Sequence, residues 1–342
     1  MYISYKKNGD RNKLGVTPLI DTILILVIVT TLISSVLLWA VPYIEEQKAT
    51  SSIKSMSQQF ILLNNVLSDM AREGENATRY FTIVMKRGIL HFEQDDDVFI
   101  IWYSLNQSYN FTVTDLEDGD KSFNLSLRSD GNPSTHLDIT QAHVWWLNNG
   151  TDKDIVPFST VTEGSTREEE AKYPLKDAIR IDLYSSSGVT IGRIWMFSLG
   201  SLSFSIPSSG GLFTISEKDG AIFQGVENGM TMIKEPIFYR DGTNLLIQCL
   251  QIRSAHSFSI YGEEIFHFTI SVNKSILQEG NRDVYNFYLR LYGNTNDSLG
   301  DYINDTLNLP YLSEDSNLFY RPSITFTLLH TVCDIYLQEV RT

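Results

Sequence analysis

Residues 22–41 read TILILVIVTTLISSVLLWAV, twenty positions without a charge. As a helix rising ~1.5 Å per residue they cover about 30 Å, the thickness of a bilayer's hydrocarbon core. A secretory signal has a shorter apolar stretch of roughly 7–15 residues and then a small-x-small cleavage triplet. Leu38-Trp39-Ala40 is a poor triplet of that kind. A core helix of a globular domain is seldom apolar on every face. The stretch therefore predicts a membrane helix over residues 16–41. Lys6, Lys7, Arg11 and Lys13 precede it against one Asp10, while Glu45 and Glu46 follow it with only Lys48. Positive flanks stay inside, which predicts a cytoplasmic N-terminus and an extracellular C-terminal region in a single-pass protein of the cell membrane.

Downstream of the helix lie eight Asn-X-Ser/Thr sequons, at Asn76, Asn106, Asn110, Asn124, Asn149, Asn273, Asn296 and Asn304, and none lies upstream. They are candidate glycosylation sites on an exported surface. The chain carries 27 basic and 41 acidic residues, a net charge of −14. Such a chain repels phosphate, so nucleic acid is not an expected partner. At 42% apolar composition, 342 residues can fill a real core.

Beyond Pro42 the helical pattern continues. Ile53, Met56, Phe60, Leu63, Leu67 and Met70 form one apolar stripe at helical spacing, and Gly74 is a stop signal. Ile61, Leu62 and Val66 widen the stripe beyond a coiled-coil seam, which suits a helix laid against a sheet better than a stalk. Pro18 fits the first turn of the helix, and Pro42 predicts a bend near the outer membrane surface. From residue 75 onward short β-rich runs alternate with turn signals, among them Asp118-Gly119, Asn149-Gly150, Ser187-Gly188, Asp219-Gly220 and Asp241-Gly242. The expected fold class is α+β. A long transmembrane and amphipathic helix is followed by a mostly antiparallel β-sandwich ectodomain. The expected segments are a basic leader (1–15), the membrane helix (16–41), its amphipathic extension (42–74) and the β-rich domain (75–342), which can divide into two subdomains near residue 200.

Lys13-Leu14-Gly15-Val16-Thr17-Pro18-Leu19-Ile20, leading into the apolar helix, resembles the class III signal of archaeal type IV pilin-like proteins. Position 14 departs from the pattern, since many such signals carry a charge immediately before the Gly. The resemblance implies cleavage between Gly15 and Val16 by a prepilin peptidase, with the helix retained. It also implies assembly of that helix with copies of itself or with other pilin-like subunits. Asp21 would be the sixth mature residue. It pairs with the Val16 amine of a neighbouring subunit on the family pattern, or lies in the lipid headgroup layer without a partner. Gly210-Gly211-Leu212-Phe213-Thr214-Ile215, Asp219-Gly220-Ala221-Ile222 and Glu235-Pro236-Ile237 also resemble the ectodomains of large archaeal pilin-like surface proteins, although two hairpins with glycine turns account for them equally.

Nothing in the sequence points to an enzyme, a cofactor or a metal. His91, His136, His143, His256, His267 and His330 form no ligand spacing, and the nucleophile-elbow and phosphate-loop motifs are absent. The acidic clusters at Glu93 with Asp95, Asp96 and Asp97, and at Asp115 with Glu117, Asp118 and Asp120, fit solvated hairpins better than calcium loops. Of Trp145 and Trp146, adjacent on a strand, one is expected in the core. Cys249 and Cys333 can form one disulfide or remain two buried thiols. The leading expectation is a structural cell-surface protein, a minor pilin-like subunit of a type IV pilus-like filament. The alternative is a non-polymerising, signal-anchored surface protein whose β domain binds a ligand or a neighbouring cell and takes part in adhesion.

Overall fold

The computed structural model describes residues 17–106, 112–119, 122–128, 141–146, 153–156, 168–174, 178–184, 188–226, 229–292, 296–307, 309 and 323–338. Only the backbone is described at 17–19, 95–97, 184, 291–292 and 296–298, and in the strands between 112 and 174. The chain forms two compact units, Met1–Ser51 and Ser52–Thr342.

Helix α1, Thr17–Glu73, is a single element of 57 residues that continues through Pro42. Gly74 ends it as its stop signal requires. Its φ is 88°, and its N–H donates to the Met70 carbonyl at 3.0 Å. A residue with a side chain resists this left-handed cap, whereas glycine adopts it freely.

The strands are β1 (Thr78–Met85), β2 (Ile89–Ser104), β3 (Thr112–Gly119), β4 (Ser122–Arg128), β5 (Gln141–Trp146), β6 (Lys153–Val156), β7 (Glu168–Pro174), β8 (Ala178–Tyr184) and β9 (Thr190–Ser208). They continue with β10 (Gly211–Lys218), β11 (Ala221–Val226), β12 (Gly229–Lys234), β13 (Phe238–Asp241), β14 (Asn244–Arg253), β15 (Phe258–Tyr261) and β16 (Glu264–Tyr292). A short helix α2 (Asn296–Asp301) runs into a π-helical turn at Tyr302–Thr306, and β17 (Ile324–Gln338) follows. Fourteen strands form one sheet along the path β12-β11-β10-β9-β2-β16-β17-β14-β13, while β3, β4 and β7 form a second sheet. Among the described strands every pairing is antiparallel except β14 with β17. The mostly antiparallel α+β expectation therefore holds. Position 200 lies inside β9, which is continuous from 190 to 208.

The large sheet turns back on itself. Two intervening strands separate β9 from β17 along the path, which on a flat sheet leaves them about 14 Å apart. Yet the Phe197 and His330 rings lie 4.9 Å apart, and the Tyr103 and Phe326 rings 5.4 Å apart. The face enclosed by this bend holds a buried cluster that includes Phe99, Tyr103, Trp195, Phe197, Ile247, Cys249, Phe287, Phe326 and Leu328. Leu299, Tyr302 and Ile303 of the helical segment add to it. At Gly200 the backbone of β9 comes so close to β14 that a Cβ there would lie 2.3 Å from the Ile252 carbonyl oxygen.

The opposite face is buried as well. Residues 52–73 of α1 bury Met56, Phe60, Leu63, Leu67 and Met70 at 2% exposure or less. Each such burial contributes about 1.5–3 kcal/mol. Polar neighbours of the stripe bond to the sheet: Ser57 Oγ donates to Gln224 Oε1 at 2.9 Å, and Gln59 bonds to β1. The stripe thus lies on the sheet, as its width predicts, although Leu62 is exposed. Strand β17 serves both faces. Ile324, Phe326 and Leu328 enter the enclosed cluster, while further along Cys333 and Ile335, in the opposite phase of the pleat, are buried.

Candidate functional site

The first candidate is the apolar run of α1. Between Thr17 and Ile44 its only charged residue is Asp21, which is exposed. Ile20, Leu24, Ile28, Leu32, Val36 and Trp39 are all between 49% and 71% exposed, so the described residues do not bury this run. Three hydroxyls in it are satisfied within the helix. Thr30 donates to the Leu26 carbonyl at 2.9 Å, Thr31 to Val27 at 2.7 Å and Ser35 to Thr31 at 2.8 Å. Polar groups bonded in this way no longer carry the full cost of leaving water. Trp39 and Tyr43 stack with ring centroids 5.7 Å apart, just before Glu45 and Glu46. Amphipathic aromatic rings of this kind mark membrane–water interfaces. From Asp21 to Tyr43 the helix rises about 33 Å at ~1.5 Å per residue. By length and composition, α1 is able to cross a membrane.

The remaining sequence-predicted positions are scattered. Gly15 and Val16 lie outside the described residues, and Pro18 is described only as backbone in the first turn of α1. Asn76, Asn106, Asn273 and Asn304 are exposed. Asn76 occupies the α1–β1 turn at φ 69°, and Asn273 Nδ2 donates to Asp334 Oδ2 at 2.7 Å. Asn124 and Asn296 are described only as backbone, in β4 and α2, and Asn110 and Asn149 lie outside the described residues. At the acidic positions 95–97, 115, 117 and 118, and at Trp145 and Trp146, only the strand backbone is described, and Asp120 lies outside the described residues.

Cys249 and Cys333 are free and buried. In the β14–β17 register Cys249 lies opposite His330, and Cys333 opposite Ile252. An offset of three residues puts the two thiols about 10 Å apart along the strands and on opposite faces of the pleat, outside disulfide reach. Burial pushes both thiols above their ordinary range, Cys333 to about 12. His267 lies on the open face of the sheet, where its Nδ1 is 3.0 Å from Thr82 Oγ1. Among the described residues no group of three or more His, Cys, Asp or Glu side chains could hold a metal ion.

Three polar arrangements gave no motif. In the first, Gln59 of α1 closes the free edge of β1. Its Nε2 donates to the Val84 carbonyl at 3.0 Å, and its Oε1 accepts the Val84 N–H at 2.7 Å. An uncovered edge is a template for another strand, and a side-chain amide that mimics a peptide blunts it.

The second is a buried ion network. Arg193 Nε donates to Asp182 Oδ1 at 2.5 Å, and Arg193 also bonds Glu279. Arg180 meets Asp182 Oδ2 at 3.0 Å, and Arg282 meets Glu279 Oε2 at 3.0 Å. The Tyr103 hydroxyl donates to Glu279 Oε1 at 2.7 Å and accepts from Trp195 Nε1 at 3.1 Å. Burial, with the Glu279 charge beside it, holds the Tyr103 phenol well above its ordinary range. Asp182 alternates with Ile181 and Leu183, so the period-two pattern suggests a solvated face, but the β8–β9–β16 packing buries it.

The third arrangement surrounds the Asp219-Gly220 turn. Both residues have positive φ, 50° and 75°, as a two-residue type I′ hairpin requires. The turn is buried, and Asp219 Oδ1 accepts the Leu250 N–H of β14 at 2.7 Å. Glu217 is fully buried. Its Oε1 accepts the Gly220 N–H at 3.0 Å and lies 3.5 Å from Asn64 Nδ2 of α1. Burial raises both acids to about 8. The available signal was Glu217 itself, which follows Phe213 and Ile215 in the apolar phase of β10.

Comparison with protein-family models, with curated proteins and with solved structures finds no match.

Proposed function

We propose that this chain is a membrane-anchored cell-surface structural protein, a minor pilin-like subunit of a type IV pilus-like filament. The observation that carries the reading is α1. One uninterrupted helix holds an exposed apolar run in its first part and buries an apolar stripe on its own β domain in its second. An apolar run with internally bonded hydroxyls exchanges lipid for other apolar helices at little cost, and close packing then decides whether it associates. The signal-like residues around Gly15 and Val16 add pilin-type processing to this reading, and the asymmetric charge of the helix flanks favours a β domain outside the cell. The turning back of the large sheet supports a sandwich-like ectodomain, and the exposed sequon asparagines are consistent with a glycosylated surface.

The test is assembly in a host that carries a prepilin peptidase. Surface-sheared material is immunolabelled and imaged by electron microscopy, alongside an Asp21→Ala variant. Labelled filaments that are lost in the variant are the expected result. A protein that stays in the membrane, leaves no labelled filament and cannot be cross-linked to a second copy would replace this proposal with a plain surface anchor.

A further inference from the structure

Four buried oxygen atoms around the β10–β11 turn have no hydrogen-bond partner: Asn64 Oδ1, Ser216 Oγ, Glu217 Oε2 and Asp219 Oδ2. Two of them belong to side chains that already meet, since Asn64 Nδ2 lies 3.5 Å from Glu217 Oε1. An amide has one donor end and one acceptor end, and an ionised carboxylate only accepts. With Glu217 ionised, Asn64 Oδ1 and Glu217 Oε2 are therefore two acceptors left in the same buried place, at a cost of about 1–3 kcal/mol for each orphaned group and more for a charged one. A proton on Oε2 satisfies both at once. The acid then donates to Asn64 Oδ1 while its other oxygen accepts from Asn64 Nδ2, a reciprocal acid–amide pair.

We propose that Glu217 is kept as a neutral carboxylic acid paired reciprocally with Asn64, and that this pair is a proton-dependent latch fastening the second half of α1 to the β10–β11 hairpin. Among the described residues, the groups packed around Glu217 offer no countercharge to an anion. From the turn comes Asp219, itself an acid engaged with Leu250 and the Cys249 thiol of β14. From β17 comes Cys333, which feels the Glu217 charge. The cross-strand neighbours of Glu217 are Leu202 and Ile222, and α1 offers only the neutral Asn64. Lys218, the next residue, points to the other face of the hairpin by strand alternation. Loss of the proton puts a carboxylate against an amide oxygen and beside Asp219, and α1 responds by loosening from the hairpin.

The experiment uses the full-length protein in detergent micelles. Hydrogen exchange of the α1 segment 56–70 is followed between pH 5 and pH 9, for the native chain and for E217Q and D219N. A glutamine keeps the reciprocal pairing without titrating. Exchange in the native chain, corrected for its intrinsic pH dependence, is expected to accelerate relative to E217Q between about pH 5 and pH 8, by up to about tenfold per pH unit as one titrating group dictates, and to level off above pH 8, where Glu217 is ionised with α1 docked or loosened. D219N is expected to keep that acceleration. Isotope-edited infrared spectra of the native chain should show a protonated glutamic acid at pH 6 that is lost by pH 9, a readout that does not depend on how the variants fold. The proposal is overturned if no such protonated acid is present. It is equally overturned if the acceleration survives in E217Q, or if D219N alone abolishes it, which would make Asp219 the switch.

Discussion

Replacing Arg193 with methionine tests the buried ion network most severely. Methionine keeps most of the arginine's length but removes the cation that joins Asp182 to Glu279. Asp182 keeps Arg180 at 3.0 Å, and Glu279 keeps Arg282 at 3.0 Å and the Tyr103 hydroxyl at 2.7 Å. The Asp182 and Glu279 side chains are only 3% and 2% exposed, so water does not replace what is lost. Breaking a buried pair by deleting one partner costs about 3–5 kcal/mol, and R193M is expected within that range. Guanidinium unfolding in micelles, followed by tryptophan fluorescence, reads it, because Trp102 and Trp195 are fully buried. The midpoint should fall with little change in slope. Neutralising the whole centre, with R193M, D182N and E279Q together, should cost less than R193M alone. The stranded charges are then gone, and the more exposed Arg180 and Arg282 can turn to solvent. A cost below about 1 kcal/mol for R193M, or a larger loss in the triple variant, would refute the view that uncompensated buried charge sets the penalty.

Glu217 and Asp219 set a pH dependence of stability. Both are raised from ordinary values of 4.5 and 3.8 to about 8, so between about pH 4 and pH 8 the folded state holds more protons than the unfolded one. Their contribution is complete below pH 4 and is lost as pH rises through 8, at up to about 1.4 kcal/mol per pH unit from each group. Unfolding midpoints measured across that window check the sign, which E217Q with D219N should flatten. Gly200→Ala should destabilise by about 1–3 kcal/mol, because its new methyl group meets the Ile252 carbonyl, a backbone atom that cannot swing aside. The same unfolding assay reads it, and Gly210→Ala, with open space at its Cβ position, is the control. Gln59→Leu should cost about 0.5–1.5 kcal/mol for each of its two bonds to Val84, and should raise aggregation by uncovering the β1 edge, as light scattering at matched concentration would show.

The elements built on periodicity were legible. The stripe from Met56 to Met70, the Gly74 stop, and the Asp219-Gly220 and Asp241-Gly242 turns all follow from rules that act over a few residues. What escaped depends on contacts between distant segments. Asp182 sits in an alternating strand that a sequence reader assigns to one wet face, and only the pairing of β8 with β9 brings Arg193 onto it. Asn64 and Glu217 are 153 positions apart, so neither announces the other. The cysteine question needed register, since an offset of three on parallel strands separates the thiols in both distance and face. In the candidate site, the apolar run and Asp21 were visible at once because a bilayer requires length and composition alone. The side-chain closures of strand edges by Gln59 and Asp219 were not, because any exposed amide or acid has the same composition.

The N-terminal residue of the protein extracted from native-like membranes tests the central claim most directly. Mass spectrometry of the intact chain and its N-terminal peptide should give a start at Val16, with α1 retained and the protein in the membrane fraction. A start at Met1 would contradict pilin-type processing. A start downstream of residue 40, with the β domain released to the medium, would contradict the anchor itself.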